Sequence, residues 1–311
     1  MNFGAQPAAA RRDAESTLVP VNDRVQLHIR HFGEGTRNTT VVVLHDLFAD
    51  GSLFFRNSDA LASRLAHEGF DVWVPDLRGK GRSWPALTRE SARDFACDFH
   101  RAVTEDLATV FGQLREQAPD KPVYLVGHGT GGLLWLSFLA RWPMVRDTVR
   151  GIVLLGTATV RERNGLLAGW RWRVRDGWFA RWRSFQYGLV QKTGADGEPG
   201  VEATHFYGEI RRLLEQGWID PEDGLDHAAR LAALPYWPPT LVVTGERDAP
   251  WCGPRSARAL QAQLPPHDGR LYLFPAASGV RLLGPRSALA GGAGAGELQT
   301  LVLDWLAAFD G

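Results

Sequence analysis

The sequence predicts an α/β fold, a mostly parallel sheet with helices on both faces and a long segment inserted late in the chain. Three observations carry that reading. Short β-branched runs recur along the 311 residues, each followed by a longer stretch at helical spacing. Val41–His45 is continuously apolar, as a strand buried on both faces is. An early hairpin precedes the repeating β–α units and places antiparallel strands at one edge.

The elements follow in order. Thr17–Val21 and Arg24–His31 flank the turn pair Asn22-Asp23 and read as the hairpin. Val41–His45 is the next strand, and Ser58–His67 a helix with Leu61 and Leu65 on one face. Asp71–Asp76 is a strand, Gly79–Trp84 a loop, and Asp98–Glu116 a helix in which Leu107, Val110, Phe111 and Leu114 keep helical spacing. Val123–Val126 leads into a helix over Thr130–Arg141, and Gly151–Leu155 into the long insertion. Thr240–Thr244, a helix over Ser256–Leu264, Arg270–Phe274 and a closing helix over Leu298–Phe309 complete the sheet. Ligands of such sheets sit at the carboxyl ends of the strands, so chemistry is sought in the loops there.

Composition removes several classes. The 35 basic and 35 acidic side chains cancel, which argues against a dedicated nucleic-acid binder. Two cysteines make no disulfide scaffold, and no four-ligand zinc spacing occurs, so neither a metal nor a cofactor is expected. Apolar runs fall well short of the ~20 residues of a membrane span. The N-terminal residues lack the apolar core of a secretory signal, so residues 1–16 are expected to be a flexible tail on a cytoplasmic protein.

After the strand Val123–Val126 comes Gly127-His128-Gly129-Thr130-Gly131-Gly132. Gly127, Gly129 and Gly132 match the dinucleotide fingerprint G-x-G-x-x-G literally. That fold wants an acid at the end of the next strand for the ribose hydroxyls, and Gly151–Leu155 is followed by Gly156-Thr157-Ala158. Dinucleotide binding at Gly127–Gly132 is therefore kept only as a second alternative. The other reading is a nucleophile elbow, a strand-to-helix turn of the form G-x-S-x-G.

Four segments in order resemble the α/β-hydrolase family, in its lipase and esterase branch. Val41–Leu47 is similar to the third strand and its His-Gly oxyanion loop, with Asp46 where glycine is usual. DVWVPDLRGKGRS at 71–83 is similar to the D-x-R-G-x-G-x-S segment, VYLVGHGTGGL at 123–133 to the elbow, and TLVVTGERD at 240–248 to the strand carrying the triad acid. The resemblance covers residues 17–156 and 238–311 as the core, and implies that 157–237 is an inserted helical cap.

The family orders its triad as serine, acid, histidine. Here Gly129 stands at the nucleophile position and cannot form an acyl-enzyme. Asp248 matches the acid, and no histidine follows His267. Gly279 falls nearest the histidine position within Pro275–Val280. The resemblance implies backbone donors for an oxyanion hole at Leu47 and Thr130.

Other residues offer further candidates. His45 and His128 end adjacent strands; either could serve, with Asp248 and a water, as a replacement base for ester or thioester hydrolysis or a lyase reaction. Support of the oxyanion loop is the plainer role for both. Cys97 and His100 read as a core cysteine and a surface histidine, and Cys252 lacks an activating base. The cap carries Trp170, Trp178 and Trp182 among arginines, and suits a lid over a pocket for a small apolar or acyl/carboxylate ligand, or a contact with a dimer partner or membrane surface. The resulting expectation is a non-catalytic, ligand- or partner-binding protein of this fold, with no nucleic acid and no transmembrane segment.

Overall fold

The computed structural model describes residues 14–33, 35–91, 96–162, 188–195, 197–249, 251–284 and 287–310. Strands β1 (Glu15–Asn22) and β2 (Val25–His31) form the expected hairpin, and the Asn22 side chain accepts the Arg24 N–H at 2.9 Å to close its turn. The first strand thus begins at Glu15, inside the expected tail. Then come β3 (Thr40–Leu44), β4 (Asp71–Pro75), β5 (Val123–His128), β6 (Val149–Leu155), the hairpin β7 (Leu189–Thr193) and β8 (Pro199–Ala203), β9 (Thr240–Gly245) and β10 (Gly269–Phe274). Eight of them make one sheet in the order β1-β2-β4-β3-β5-β6-β9-β10. The pairs β1·β2 and β2·β4 are antiparallel and the rest parallel.

Helix α1 is Leu61–His67. Helix α2 starts at Phe99–Arg101, passes through a π-helical turn at Ala102–Asp106 and continues as Leu107–Gln117. The others are α3 (Thr130–Arg141), α4 (Thr204–Gln216), α5 (His227–Ala232), α6 (Pro254–Gln263) and α7 (Ala295–Ala308). Alternate residues of each central strand feed opposite faces, as the two-residue period requires. Val41, Val43, Val126 and Val153 join Leu61, Leu65, Val302 and Leu306 of α1 and α7. Val42, Leu44, Leu125 and Ile152 join Leu107, Leu114, Leu134 and Leu260 of α2, α3 and α6. Burial on both sides explains the absence of polar alternation in β3 and β5.

The inserted region differs from expectation in one respect. A helical cap was expected; among its described residues β7 and β8 form a separate two-stranded sheet ahead of α4 and α5. Trp170, Trp178 and Trp182 lie outside the described residues.

The loop after β4 is held by a buried ion pair. Arg78 Nε and Nη2 donate to Asp106 Oδ1 at 2.9 and 2.7 Å, and the Arg78 N–H donates to Asp106 Oδ2 at 3.0 Å. The π turn of α2 ends on Asp106, which is fully buried. Breaking such a pair from one side is costly, although Arg78 Nη2 also pairs with Glu105 at 2.7 Å and keeps that partner. Asp106→Ala is expected to lower unfolding free energy by up to about 3 kcal/mol in urea denaturation, and Arg78→Met with Asp106→Leu by less.

Candidate functional site

The turn from β5 into α3 passes through Gly129 at φ 52° and ψ −116°, a backbone conformation that side chains rarely adopt. The neighbouring glycines serve close approach. A Cβ at Gly127 would lie 2.3 Å from Gly132 Cα, and one at Gly131 would lie 2.6 Å from the Leu44 and His45 carbonyl oxygens. At Gly132 it would meet the Thr157 hydroxyl at 2.0 Å. The fingerprint spacing is thus accounted for by packing of α3 against β3, β5 and the end of β6.

The Asp46 carboxylate lies directly over this turn. Asp46 Oδ1 accepts the Thr130 N–H at 2.7 Å, so one of the two expected oxyanion donors already holds an anion from the chain itself. A Cβ at Gly129 would lie 2.2–2.5 Å from the carboxylate's carbon and oxygens. The carboxylate fills the space in which a side chain at 129 would begin. Asp46 was recognised in the sequence only as a departure from glycine; its reach to residue 129 depends on how β3 and β5 pair.

A cavity of about 170 Å³ opens above the turn. Its base is formed by Asp46, Leu47, Phe48, Gly129, Thr130 and Leu133. Gly156, Ala158, Trp251, Leu283 and Gly284 form its core-side wall, and the β7–β8 hairpin (Lys192–Ala195) and α4 (Tyr207, Ile210, Leu214) roof it. Phe48 has φ 59°, the one positive φ outside glycine among the described residues. Strain of this kind persists where the surroundings over-determine it. Here the Phe48 ring packs edge-on to Tyr207 at 5.5 Å, and the Phe48 carbonyl oxygen touches the backbone of Gly200 so closely that a Cβ there would lie 1.9 Å from it.

A second buried ion pair fastens the roof. Lys80, in the loop after β4, reaches Glu202 of β8 at 2.6 Å and donates to the Val201 carbonyl oxygen at 2.6 Å. Both charged side chains are buried, so the hairpin is fixed to the loop that carries the D-x-R-G-x-G-x-S pattern.

Neither alternative histidine lines the cavity. His45 Nδ1 donates to the Asp46 carbonyl oxygen at 2.9 Å, and its Nε2 accepts the Leu77 N–H at 3.2 Å. Both ring nitrogens are therefore engaged by the backbone. His128 is fully buried, donates from Nε2 to the Leu282 carbonyl oxygen at 2.7 Å, and stands edge-on to Phe54. Burial holds its imidazole below the ordinary value, against the pull of Asp46. Both act in the loops' architecture.

Asp248 is buried and accepts N–H groups from Leu282, Leu283 and Gly245 at 3.0–3.1 Å. The expectation for Gly279 needs correction. A Cβ there would meet only Ala293, and Gly279 does not line the cavity. The 3-10 turn Ala276–Ser278 and the left-handed Gly279 lengthen the loop, so Leu282 and Leu283 face Asp248 instead. His100 also differs from a surface histidine: it is partly buried, and its Nδ1 lies 3.0 Å from Asp220 Oδ1. Cys97 and Cys252 are buried, and burial pushes the Cys252 thiol up to about 12, which leaves it protonated and unreactive.

Comparisons with known proteins show what the chain is similar to. The family model of the S33 serine aminopeptidases matches residues 37–185. Lysophospholipase L2 of Escherichia coli (strain K12) is 31% identical over 138 residues, 42% of this chain and 40% of that protein. Triacylglycerol lipase 1 of Arabidopsis thaliana is 32% identical over 119 residues, 37% of this chain and 30% of that protein. The alignments thus span well under half the length of these curated relatives. A soluble variant of monoglyceride lipase from Saccharomyces cerevisiae superposes with a TM-score of 0.64 at 14% identity, covering 95% of each chain. An esterase from Pyrococcus furiosus gives 0.62 at 12% identity, over 100% of this chain and 97% of the other. The chain has the α/β-hydrolase fold, and its sequence is similar to lipases and lysophospholipases of the α/β-hydrolase family. Among its described residues no helix is long and apolar enough to cross a membrane.

Burial raises the Asp248 carboxyl above its ordinary value, and the Leu283, Leu282 and Gly245 N–H groups only partly offset it. A carboxyl raised on folding contributes stability that is complete below the unfolded value and is lost as pH rises through the folded one. Asp248→Asn is therefore expected to flatten the fall in stability as pH climbs from about 4. Urea midpoints measured from pH 3 to pH 8 on both proteins check this.

Proposed function

We propose that this chain is a ligand-binding member of the α/β-hydrolase family without serine-hydrolase chemistry. The observation that carries the reading is the Asp46 carboxylate, which hydrogen-bonds the Thr130 N–H and fills the space over Gly129. Acyl transfer needs a nucleophile, a base within reach and a free oxyanion site. In this reading Gly129 is a vacant nucleophile position, and the oxyanion-like site of Leu47 and Thr130 is closed by Asp46. Asp248, a residual acid with no imidazole to orient, holds the 282–283 segment in place.

The cavity supports the binding half of the proposal. Its walls are mostly apolar, with Leu47, Phe48, Leu133, Ile210, Leu214 and Leu283 facing one another. It suits the body of a small apolar or aliphatic molecule. In this reading the inserted region caps the cavity through its described elements, the β7–β8 hairpin and α4. The relatives named for lipase and lysophospholipase activity favour a ligand with a hydrocarbon portion. A cytoplasmic setting is part of this proposal.

A fluorophosphonate probe is expected to leave the protein unlabelled, and p-nitrophenyl esters to hydrolyse no faster than in buffer. Stoichiometric labelling of a serine in the cavity would overturn the reading. Gly129→Ser is expected to cost about 1–3 kcal/mol, because its side chain meets the Asp46 carboxylate and takes a strained backbone conformation. Adding Asp46→Gly should recover part of that loss in a double-mutant cycle, without restoring turnover.

A further inference from the structure

Two features of the cavity favour positive charge, and they arise from different parts of the chain. At the base, the Asp46 carboxylate spends one oxygen on the Thr130 N–H. Among the described residues no cationic side chain lies within ion-pair distance of it. On the roof side, the Lys192 ammonium lies among three aromatic rings: 4.5 Å from the centre of Tyr207, 5.7 Å from Phe48 and 5.9 Å from Trp251. These separations fall within the roughly 6 Å range over which a ring face attracts a cation. The three rings come from the β3 loop, α4 and the loop after β9, so their convergence is a product of the tertiary fold. All three residues, Lys192 and Asp46 line the same cavity.

From this we infer that the cavity binds an organic cation, a substituted or quaternary ammonium carried on an apolar body. The inference rests on the binding reading above and gives it a charge preference. An oxyanion hole in this fold attracts a negatively charged or carbonyl oxygen. Here the carboxylate of Asp46 takes the donor, and its outward oxygen attracts cations and repels carboxylates. The acyl/carboxylate ligand expected from the fold is thereby replaced by one of opposite charge. The Phe48 and Tyr207 rings already hold a cation from within the chain, Lys192, and the Trp251 ring is shared between Lys192 and the Arg161 guanidinium, which lies 4.9 Å from its centre. Lys192 is half-exposed on a flexible stem, with a hydrogen bond from Nζ to the Tyr207 hydroxyl at 2.6 Å. A ligand ammonium displaces it towards solvent and takes its place over the rings, while the apolar body lies against Leu133, Ile210 and Leu214.

The test is calorimetric titration of the full chain with octyltrimethylammonium and with octanoate, which share a chain and differ in head charge. The ammonium is expected to bind at least about tenfold more tightly than the carboxylate. Asp46→Asn keeps an oxygen for the Thr130 N–H and should fold normally by circular dichroism. It should erase most of that preference. Lys192→Gln should bind the ammonium several-fold more tightly than the parent. Equal or tighter binding of octanoate, a preference unchanged in Asp46→Asn, or no binding of either compound at millimolar concentration would each overturn the inference. Fluorophosphonate labelling separately tests the non-catalytic reading, so failure of the charge preference and failure of that reading give different results.

Discussion

Between Gly127 and Gly132 the chain turns from a buried strand into a buried helix, and the surrounding elements depend on how tightly it does so. Helix α3 lies so close to β3 and β5 that a single methyl group at 127, 131 or 132 would collide with backbone or with Thr157. That contact brings the end of β3 beside the start of α3, and with it the carboxylate of Asp46 onto the Thr130 N–H. The closeness of two backbones thus decides which atom occupies the reaction centre of the fold.

Charge inside this molecule is used in pairs. Arg78 with Asp106 fixes the loop after β4, and Lys80 with Glu202 ties that loop to the cap hairpin. Asp248 is satisfied by backbone N–H groups alone. Each arrangement offsets the cost of burying an ion by supplying hydrogen bonds at the same place. Asp46 is the exception among these acids: it is only partly buried, it holds one backbone donor, and it faces an open cavity. That difference sets it apart as a group available to a ligand.

Much of the sheet was legible because its strands are apolar on both faces and its helices keep regular spacing. β3, β5, β6 and β9 appear within two residues of their expected bounds, and α3 spans the expected Thr130–Arg141. The β7–β8 hairpin was not legible, because Leu189–Thr193 and Pro199–Ala203 are short and partly exposed and the second begins with Pro199-Gly200. Gly279 falls nearest the histidine position only by resemblance to the family's Gly-His turn, and such an alignment shifts where a 3-10 turn and a left-handed residue add length to a loop. His45 and His128 looked like candidate bases from their positions at strand ends. Position on a strand does not show which backbone groups a ring meets, and those contacts are made with residues as distant as Leu282.

What the sequence determined by itself was a frame resembling the α/β-hydrolases and the identity of residues within it: glycine at 129, and no histidine after 267. Those are statements about residue identity at ordered positions, which a linear string records fully. Only the tertiary structure decided what stands in their place. Asp46 and Gly129 are more than eighty residues apart, and Phe48, Lys192, Tyr207 and Trp251 come from four separate segments. Their meeting depends on parallel strand pairing and on the β7–β8 hairpin and α4 packing over the strand ends. Contacts of that range arise from three-dimensional packing, and no local pattern in the chain encodes them.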